Sequence, residues 1–352
     1  MVGQWPLKPL IGVRIPVSQQ SSKVSKDRVY MSTTRSHYLP RTYLKHFLYD
    51  GSLVMYKKGA KFFNTKINPD ERIFVVSSEA TLANIGVENH LYNPKVEGIS
   101  SDDLEAIFHE LGEDTYDSIL TSIYELSEEA ELPRNIKNQL CIFMSAMRVR
   151  TPLFKKELEE MDEKMRKYLM AANYKRMSVK EVINHAKIAT GQDISEELAV
   201  QIKNSFVNKE YELKYPNAYF IKYALLLIEH HIDIFHKMTM TICKSNRRFF
   251  ITNDSPLVYF VPPEKVNMYN PPKALVSQFS EVFFPLSKDL LVHMCWKKEK
   301  EKIRKITRKF VDIANYNIAH HSLDFIFAPM KINELKKFTE EYIPYPFKLV
   351  MD

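Results

Sequence analysis

The chain has 352 residues, 45% of them hydrophobic and 26% charged, with 8 glycines and a formal net charge of +7. That balance describes a globular chain with a real core, in one large domain or two ordinary ones. The positive excess suits an anionic partner, and with no glycine-rich phosphate loop, P-loop, kinase and dehydrogenase chemistry are excluded.

The first 30 residues are basic and serine-rich, without the apolar stretch of a secretory signal. They are expected to be a disordered arm, or sequence upstream of a start at Met31. Residues 31–352 are expected to form a single domain.

"SHYLPRTYLKHF" (36–47) follows. Tyr43, Leu44 and Phe47 are spaced as one face of a short helix. Pro40 fits its first turn, where a missing N–H costs nothing. His37 then lies just outside the helix N-terminus. It is either a group facing an anion or a corner hydrogen-bond maker, since imidazole serves as acid, base, ligand or brace. "SLVMYKKGAKFFNTK" reads as strands about a turn at Lys57-Lys58-Gly59, and "RIFVVSS" as a further strand.

From Ser101 to Arg150 the pattern is helical. Leu104, Ile107, Phe108 and Leu111 share one face, as do Ile136, Leu140, Phe143, Met144 and Met147. Pro152 ends the run. Arg148 and Arg150 stand in its last turn, where one guanidinium is expected to point inward and hold a carboxylate or phosphate. The alternative is a surface arginine favouring the helix dipole.

Residues 153–214 are charged and helical with little core stripe, and are expected to form a helical insert or lid. Ser178 with Glu181 reads as a capping box, and Asp193 with Glu196 imitates one. In "NAYFIKYALLLIEHHIDIF", Ile221, Leu225, Ile228, Ile232 and Phe235 make the best core face in the chain, with His230 and His231 read as surface.

The period then changes. "MTMTICKS" and "RRFFITND" read as two strands about a polar turn at Ser245–Arg247, and "SEVFFPLS" with "DLLVHMCW" as a second pair. "KEKIRKITRKFVDIANYNIAHH" reads as one basic amphipathic helix, "LDFIFAP" as a closing strand and "INELKKFTEEY" as a last helix. Strands at both ends with helices between and after give an α+β fold, its mixed or antiparallel sheet packed on a central helical region.

Several polar clusters interrupt these elements. Thr252-Asn253-Asp254-Ser255 before Pro256 is a tight turn by its chemistry, because these side chains bond their own backbone. It is also a strand end, where Asn253 and Asp254 could be presented to a ligand. Ser287 sits at another strand edge, without the G-x-S-x-G elbow of a hydrolase. Asn315, Asn317, His320 and His321 come late on the basic helix, Asn317 and His321 on one face. No H-x-x-x-H or D-x-D spacing supports a built metal site. Cys141, Cys243 and Cys295 are widely spaced with no C-x-x-C pair, so a zinc knuckle or disulfide framework is not expected. Buried thiols and the absence of a run of about 18 apolar residues suit a cytoplasmic protein with no membrane segment. "KKEKEKIRKITRK" reads as a solvated face, and is the first place to seek phosphate contacts.

Taken together, "SHYLPRTYLKHF", "RTPLFKKEL", "FFITNDSPLVYF", "FFPLSKDLL" and "ANYNIAHHSLDFIFA" resemble a mostly bacterial domain-of-unknown-function family, number 4238, over roughly 36–330. Thr252-Asn253-Asp254 stands where many relatives read T-S-D. The resemblance implies a grouping rather than an activity: His37, Arg41, Arg150, Asp254, Ser287 and Asn317 are the polar members of the matched motifs, expected to converge. Convergence could be a purely structural network. It could also be a nuclease-like phosphodiesterase in a toxin or phage-defence setting. There His37 would be general acid or base, Arg150 would hold phosphate, and Asp254 would orient the imidazole or bind a divalent ion. Arg41, Asn253, Ser287 and Asn317 would then contact substrate. The alternative is a non-catalytic binding or regulatory protein for nucleic acid or another anionic ligand.

Overall fold

The computed structural model describes residues 35–58, 73–76, 82–89, 91 and 101–340. The expectations for residues 1–30, for the chain beyond Lys58 in the first hairpin and for the last turn after residue 340 lie outside the described residues. All the described residues lie in one compact unit. No described helix is long and apolar enough to cross a membrane.

The helices are α1 (Arg41–Leu44), α2 (Ser101–Phe108), α3 (Tyr116–Glu125), α4 (Arg134–Val149), α5 (Pro152–Arg176), α6 (Val179–Thr190), α7 (Glu196–Asn208), α8 (Asn217–Lys237), α9 (Arg308–His320) and α10 (Lys337–Glu340). The strands are β1 (Arg35–His37), β2 (Leu53–Lys57), β3 (Ile73–Val76), β4 (Val87–Asn89), β5 (Thr239–Lys244), β6 (Thr252–Asn253), β7 (Val258–Phe260), β8 (Glu281–Pro285), β9 (Leu290–Cys295), β10 (Lys302–Lys305) and β11 (Phe325–Ala328). The fold is α+β, as the element pattern implied.

Three sheets form. One pairs β1 with β4, one runs β3-β2-β11-β6, and one runs β10-β5-β9-β8-β7. All pairings are antiparallel except β10 on β5. Strand alternation divides the five-stranded sheet between two cores, because successive side chains leave opposite faces. Met240, Ile242, Val282, Phe284, Val292 and Met294 enter one core with the apolar faces of α4 and α8. Cys243, Phe283 and Leu291 enter the other. The four-stranded sheet divides in the same way: Leu53 and Phe327 join the first core, and Val54, Tyr56, Ile326 and Ala328 the second. Val311, Ala314 and Ile318, at helical spacing, seat α9 in that second core. Each fully buried aromatic such as Phe283 or Phe284 contributes about 2 kcal/mol of transfer energy.

Thr151 caps α5 by accepting from the Phe154 N–H, with Pro152 at the first helical position. So the proline that ends one helix opens the next. The Ser178–Glu181 capping box is present. At α7 the cap is Ser195, not Asp193, because its hydroxyl accepts from the Leu198 N–H. α6 and α7 close a small third core of Tyr174, Val182 and Ala199 against α5.

Three other expectations are corrected. Residues 238–254 do not form a hairpin: β5 lies in the five-stranded sheet and β6 in the four-stranded one, so the polar turn carries the chain between sheets. The basic run is not one helix. Residues 302–305 are strand β10, where Ile303 is buried and its charged neighbours are not, and Thr307 caps α9 only afterwards. His231 is not on the surface. It lies half-buried between Phe154 and Phe235, at ring-centroid distances of 6.3 and 6.2 Å, and burial lowers its pKa to about 4.

Candidate functional site

The first motif is a junction. Pro40 precedes α1 in an extended conformation and frees the turn in which Tyr43, Leu44 and Phe47 are all fully buried. The Tyr43 hydroxyl donates to the Pro285 carbonyl at 2.9 Å and lies 2.6 Å from Thr252 Oγ1, which therefore donates to it. Burial raises the Tyr43 pKa well above its ordinary value. One phenol thus ties the first motif to both "ITND" and "FFPLS". His37 ends β1, and its Nε2–H donates to the Ala83 carbonyl at 3.3 Å. The chain beside it is held by Gly86, whose carbonyl accepts from the Tyr38 N–H at 2.8 Å. At φ +65 a Cβ on Gly86 would lie 2.4 Å from Leu39 Cβ, so only glycine fits. Arg41 begins α1 at an exposed position.

Both arginines of the "RVRTP" corner point inward. Arg150 is buried, paired with Glu113, stacked at 4.9 Å over Phe108, and donates to the His37 carbonyl at 2.7 Å. Arg148 is buried, paired with Glu157, and lies against Phe154 and Tyr259 at 5.0 and 5.1 Å. Glu157 also meets Lys273 at 2.9 Å, and these cations hold its carboxyl down at about 2. Thr151 Oγ1 is 3.4 Å from Ser255 Oγ, which joins this corner to the "NDSP" turn.

Asp254, one residue past β6, is buried and accepts from the N–H groups of Leu323, Asp324 and Phe325 at 2.8, 2.6 and 2.8 Å. Burial pushes its carboxyl up to about 6, against those three donors. Lys58 donates to the Ala319, His320 and Ser322 carbonyls at the end of α9, satisfying groups that a helix terminus leaves open. Asn253 donates to the Ile318 carbonyl at 2.6 Å and accepts from the Ser255 N–H. His321 Nδ1–H donates to the Asn317 carbonyl at 2.9 Å, and burial lowers its pKa to about 3. The Asn317 amide bonds back to Ile313. Ser287 accepts from the Asp289 and Leu290 N–H groups and meets the Tyr124 hydroxyl at 2.9 Å.

The motifs therefore do meet, but through bonds to one another's backbone. His37 and Arg150 are neighbours; Asp254, Asn253 and Asn317 cluster at the C-terminal end of α9; Ser287 bonds instead to Tyr124, Asp289 and Leu290, and Arg41 is exposed. Asn315, left out of the candidate site, has a larger part than Asn317. Its amide donates to the Phe249 carbonyl at 2.9 Å and accepts from the Ile251 N–H at 3.0 Å, in the place of a neighbouring strand. No group of three or more metal-ligating side chains is assembled among the described residues.

The opposite end of α9 is built differently. Asn246, Arg247, Arg248, Lys305, Thr307 and Arg308 line a groove of about 660 Å³. Arg248 is tied to Asp312 at 2.8 Å and faces Glu334 at 3.7 Å. Lys305 reaches Glu128 only at 3.5 Å, both half exposed, a weak pairing. Arg247 and Arg308 are exposed and make no ion pair among the described residues. Thr307 Oγ1 accepts from the Phe310 N–H, while the Arg308 and Lys309 N–H groups belong to the first turn, which a helix leaves without intrahelical partners. A smaller cavity of about 290 Å³, lined in part by Thr241, His293 and Phe310, adjoins it through Lys305 and Thr307. The sequence signal for one side of this groove was the charge run, read as solvated face with phosphate contacts as the alternative; Arg247 on the other side was read only as part of a polar turn.

Residues 35–331 match the model of a family described as protein of unknown function (DUF4238), and the chain belongs to that family. No curated protein and no solved structure matches it.

Proposed function

We propose that this DUF4238 member binds nucleic acid non-catalytically, gripping the phosphate backbone in the groove at the N-terminal end of α9. The observation that carries the reading is the pairing of exposed, unbridged Arg247 and Arg308 with Lys305 across a concave surface into which a helix N-terminus opens. Guanidinium groups hold phosphate bidentately, and the first-turn N–H groups add donors with the favourable sign of dipole. The net charge of +7 favours encounter with a polyanion.

A second reading is phosphodiester cleavage in a toxin or phage-defence setting, with His37, Arg150 and Asp254 as the reacting set. It is favoured by Asp254, a buried carboxyl that titrates near 6, since shifted groups collect at sites. It is disfavoured by the bonds these residues already make to backbone. The residues present assemble no ligand cluster for a divalent ion among those described.

The test is fluorescence anisotropy with labelled single-stranded RNA, single-stranded DNA and duplex DNA across a salt series. Binding that weakens with salt and falls about tenfold in Arg247→Glu/Arg308→Glu supports the groove. Binding that ignores these changes overturns it. The same oligonucleotides incubated with Mg²⁺ or Mn²⁺ test cleavage, and cleavage abolished in a folded His37→Ala variant would replace the first reading with the second.

A further inference from the structure

The face of the five-stranded sheet that receives α9 is apolar for only part of its length. Cys243, Phe283 and Leu291 lie with α9 in the second core. The same face continues beyond them, because residues paired across a ladder and alternate residues along a strand share a side. Thr239 pairs with Cys295, which pairs in turn with Glu281, and His293 lies between Thr241 and Phe283. Thr239, Thr241, Glu281, His293 and Cys295 line the cavity of about 290 Å³, and Phe310 of α9 completes the lining. The Phe310 ring centroid stands 5.8 Å from those of both Phe283 and His293.

The polar groups of this cavity are not used up by the fold. Glu281 Oε2 lies 3.3 Å from His293 Nε2 without the alignment of a hydrogen bond, so that buried imidazole nitrogen has no hydrogen-bond partner among the described residues. A shielded polar atom left unmet costs free energy until something supplies a partner. The volume is at the small end of ligand cavities, roughly 300–1,000 Å³, so it admits one flat ring system and not a duplex. An aromatic wall with a few polar groups is the lining that seats such a ring. Lys305 and Thr307 line both this cavity and the groove, so one ligand can occupy the two together.

We infer that the cavity seats one unpaired nucleobase carrying an exocyclic amine, from a strand whose phosphates lie in the groove. The inference rests on the groove reading and narrows it to single-stranded nucleic acid. A base within a duplex does not enter, because its edge is paired and its faces are stacked. The Glu281 carboxylate accepts hydrogen bonds and donates none. Cytosine, adenine and guanine offer it an N–H2 group, whereas uracil and thymine set a carbonyl oxygen against it.

The test is anisotropy on the full chain with oligo-deoxycytidine, oligo-deoxyuridine and duplex DNA of equal length. The wild type is expected to bind oligo-deoxycytidine about tenfold tighter than oligo-deoxyuridine. Glu281→Gln removes that preference at unchanged melting temperature, because an amide serves both bases. Thr241→Phe fills the cavity with a strand-favouring residue; it weakens oligo-deoxycytidine binding about tenfold and leaves duplex binding in place. Arg247→Glu/Arg308→Glu weakens all three ligands. Equal affinity for the two single strands, or a cytidine preference that survives Glu281→Gln, overturns the cavity while the arginine dependence keeps the groove. Binding indifferent to the arginine changes overturns the groove, and the cavity inference falls with it.

Discussion

At the C-terminal end of α9, Lys58, Asn253, Asp254 and His321 all hydrogen-bond to backbone within one buried corner. At its N-terminal end, about 20 Å away by helix rise, Arg247 and Arg308 face solvent and Lys305 is only weakly paired. Both ends are polar in sequence, and the more motif-like end is the one whose polarity is absorbed by the fold. Dispersed polar motifs here mark where distant chain segments cross and must satisfy each other. The charges left for a ligand come from the turn at Arg247 and from the charge run that holds Lys305 and Arg308, neither of which is a motif.

The comparison is most easily broken at the committed end. Asp254→Ala removes the buried carboxylate that holds three N–H groups of the 323–325 segment and is expected to lower stability by about 2 kcal/mol, read by urea unfolding; an unchanged midpoint would mean the corner is not structural. Asn315→Ala removes both bonds to the 249–251 segment. It is expected to cost about 2 kcal/mol, with amide exchange rising first at Ile251. At the open end the expectation reverses. Arg247→Glu/Arg308→Glu leaves the melting temperature in place and weakens single-stranded RNA binding about tenfold, roughly 1.4 kcal/mol. A variant that melts early would mean these charges are structural too.

The smallest effect is with pH. Burial lowers His320 to about 4 and His321 to about 3. A histidine depressed on folding contributes stability above its ordinary pKa of 6.5, lost as pH falls toward the folded value. Asp254, raised to about 6, has the opposite sign: its contribution is present at low pH and lost as pH rises through 6. The two oppose each other between pH 6.5 and 4, so acidification is expected to lower the melting temperature modestly, and more steeply in Asp254→Asn. Groove affinity should hold over that range, because arginine and lysine stay charged. Scanning calorimetry and anisotropy at pH 7 and pH 4.5 check both halves.

Much of this was legible in the sequence, and the failures have physical causes. Helical spacing gave α4 and α8, and period-two apolar runs gave β8 and β9. The inward turn of Arg150 followed from its place at a helix end before proline. "RRFFITND" looked like one paired strand because its residues are strand formers, but only Thr252–Asn253 pair in a sheet, while Phe249 and Ile251 bond to the Asn315 side chain, which no local pattern reveals. "KIRK" hid a strand inside a charge run, since one buried Ile303 among cations reads equally as a helix or a strand. Sequence placed Asp254 at a strand end but could not tell that Leu323, Asp324 and Phe325 would already occupy its oxygens.

The fully buried Tyr43 has a further consequence, for synthesis. Its partners Thr252 and Pro285 lie 209 and 242 residues later in the chain. At translation rates of roughly 5–20 residues per second, about 10–40 s separate the appearance of Tyr43 from that of Thr252. Through that interval Tyr43, Leu44 and Phe47 have no finished core to enter. The α1 segment thus closes only after a far end of the domain has been made, with the slow, non-local folding this implies, and that short aromatic stretch stays without its core until then.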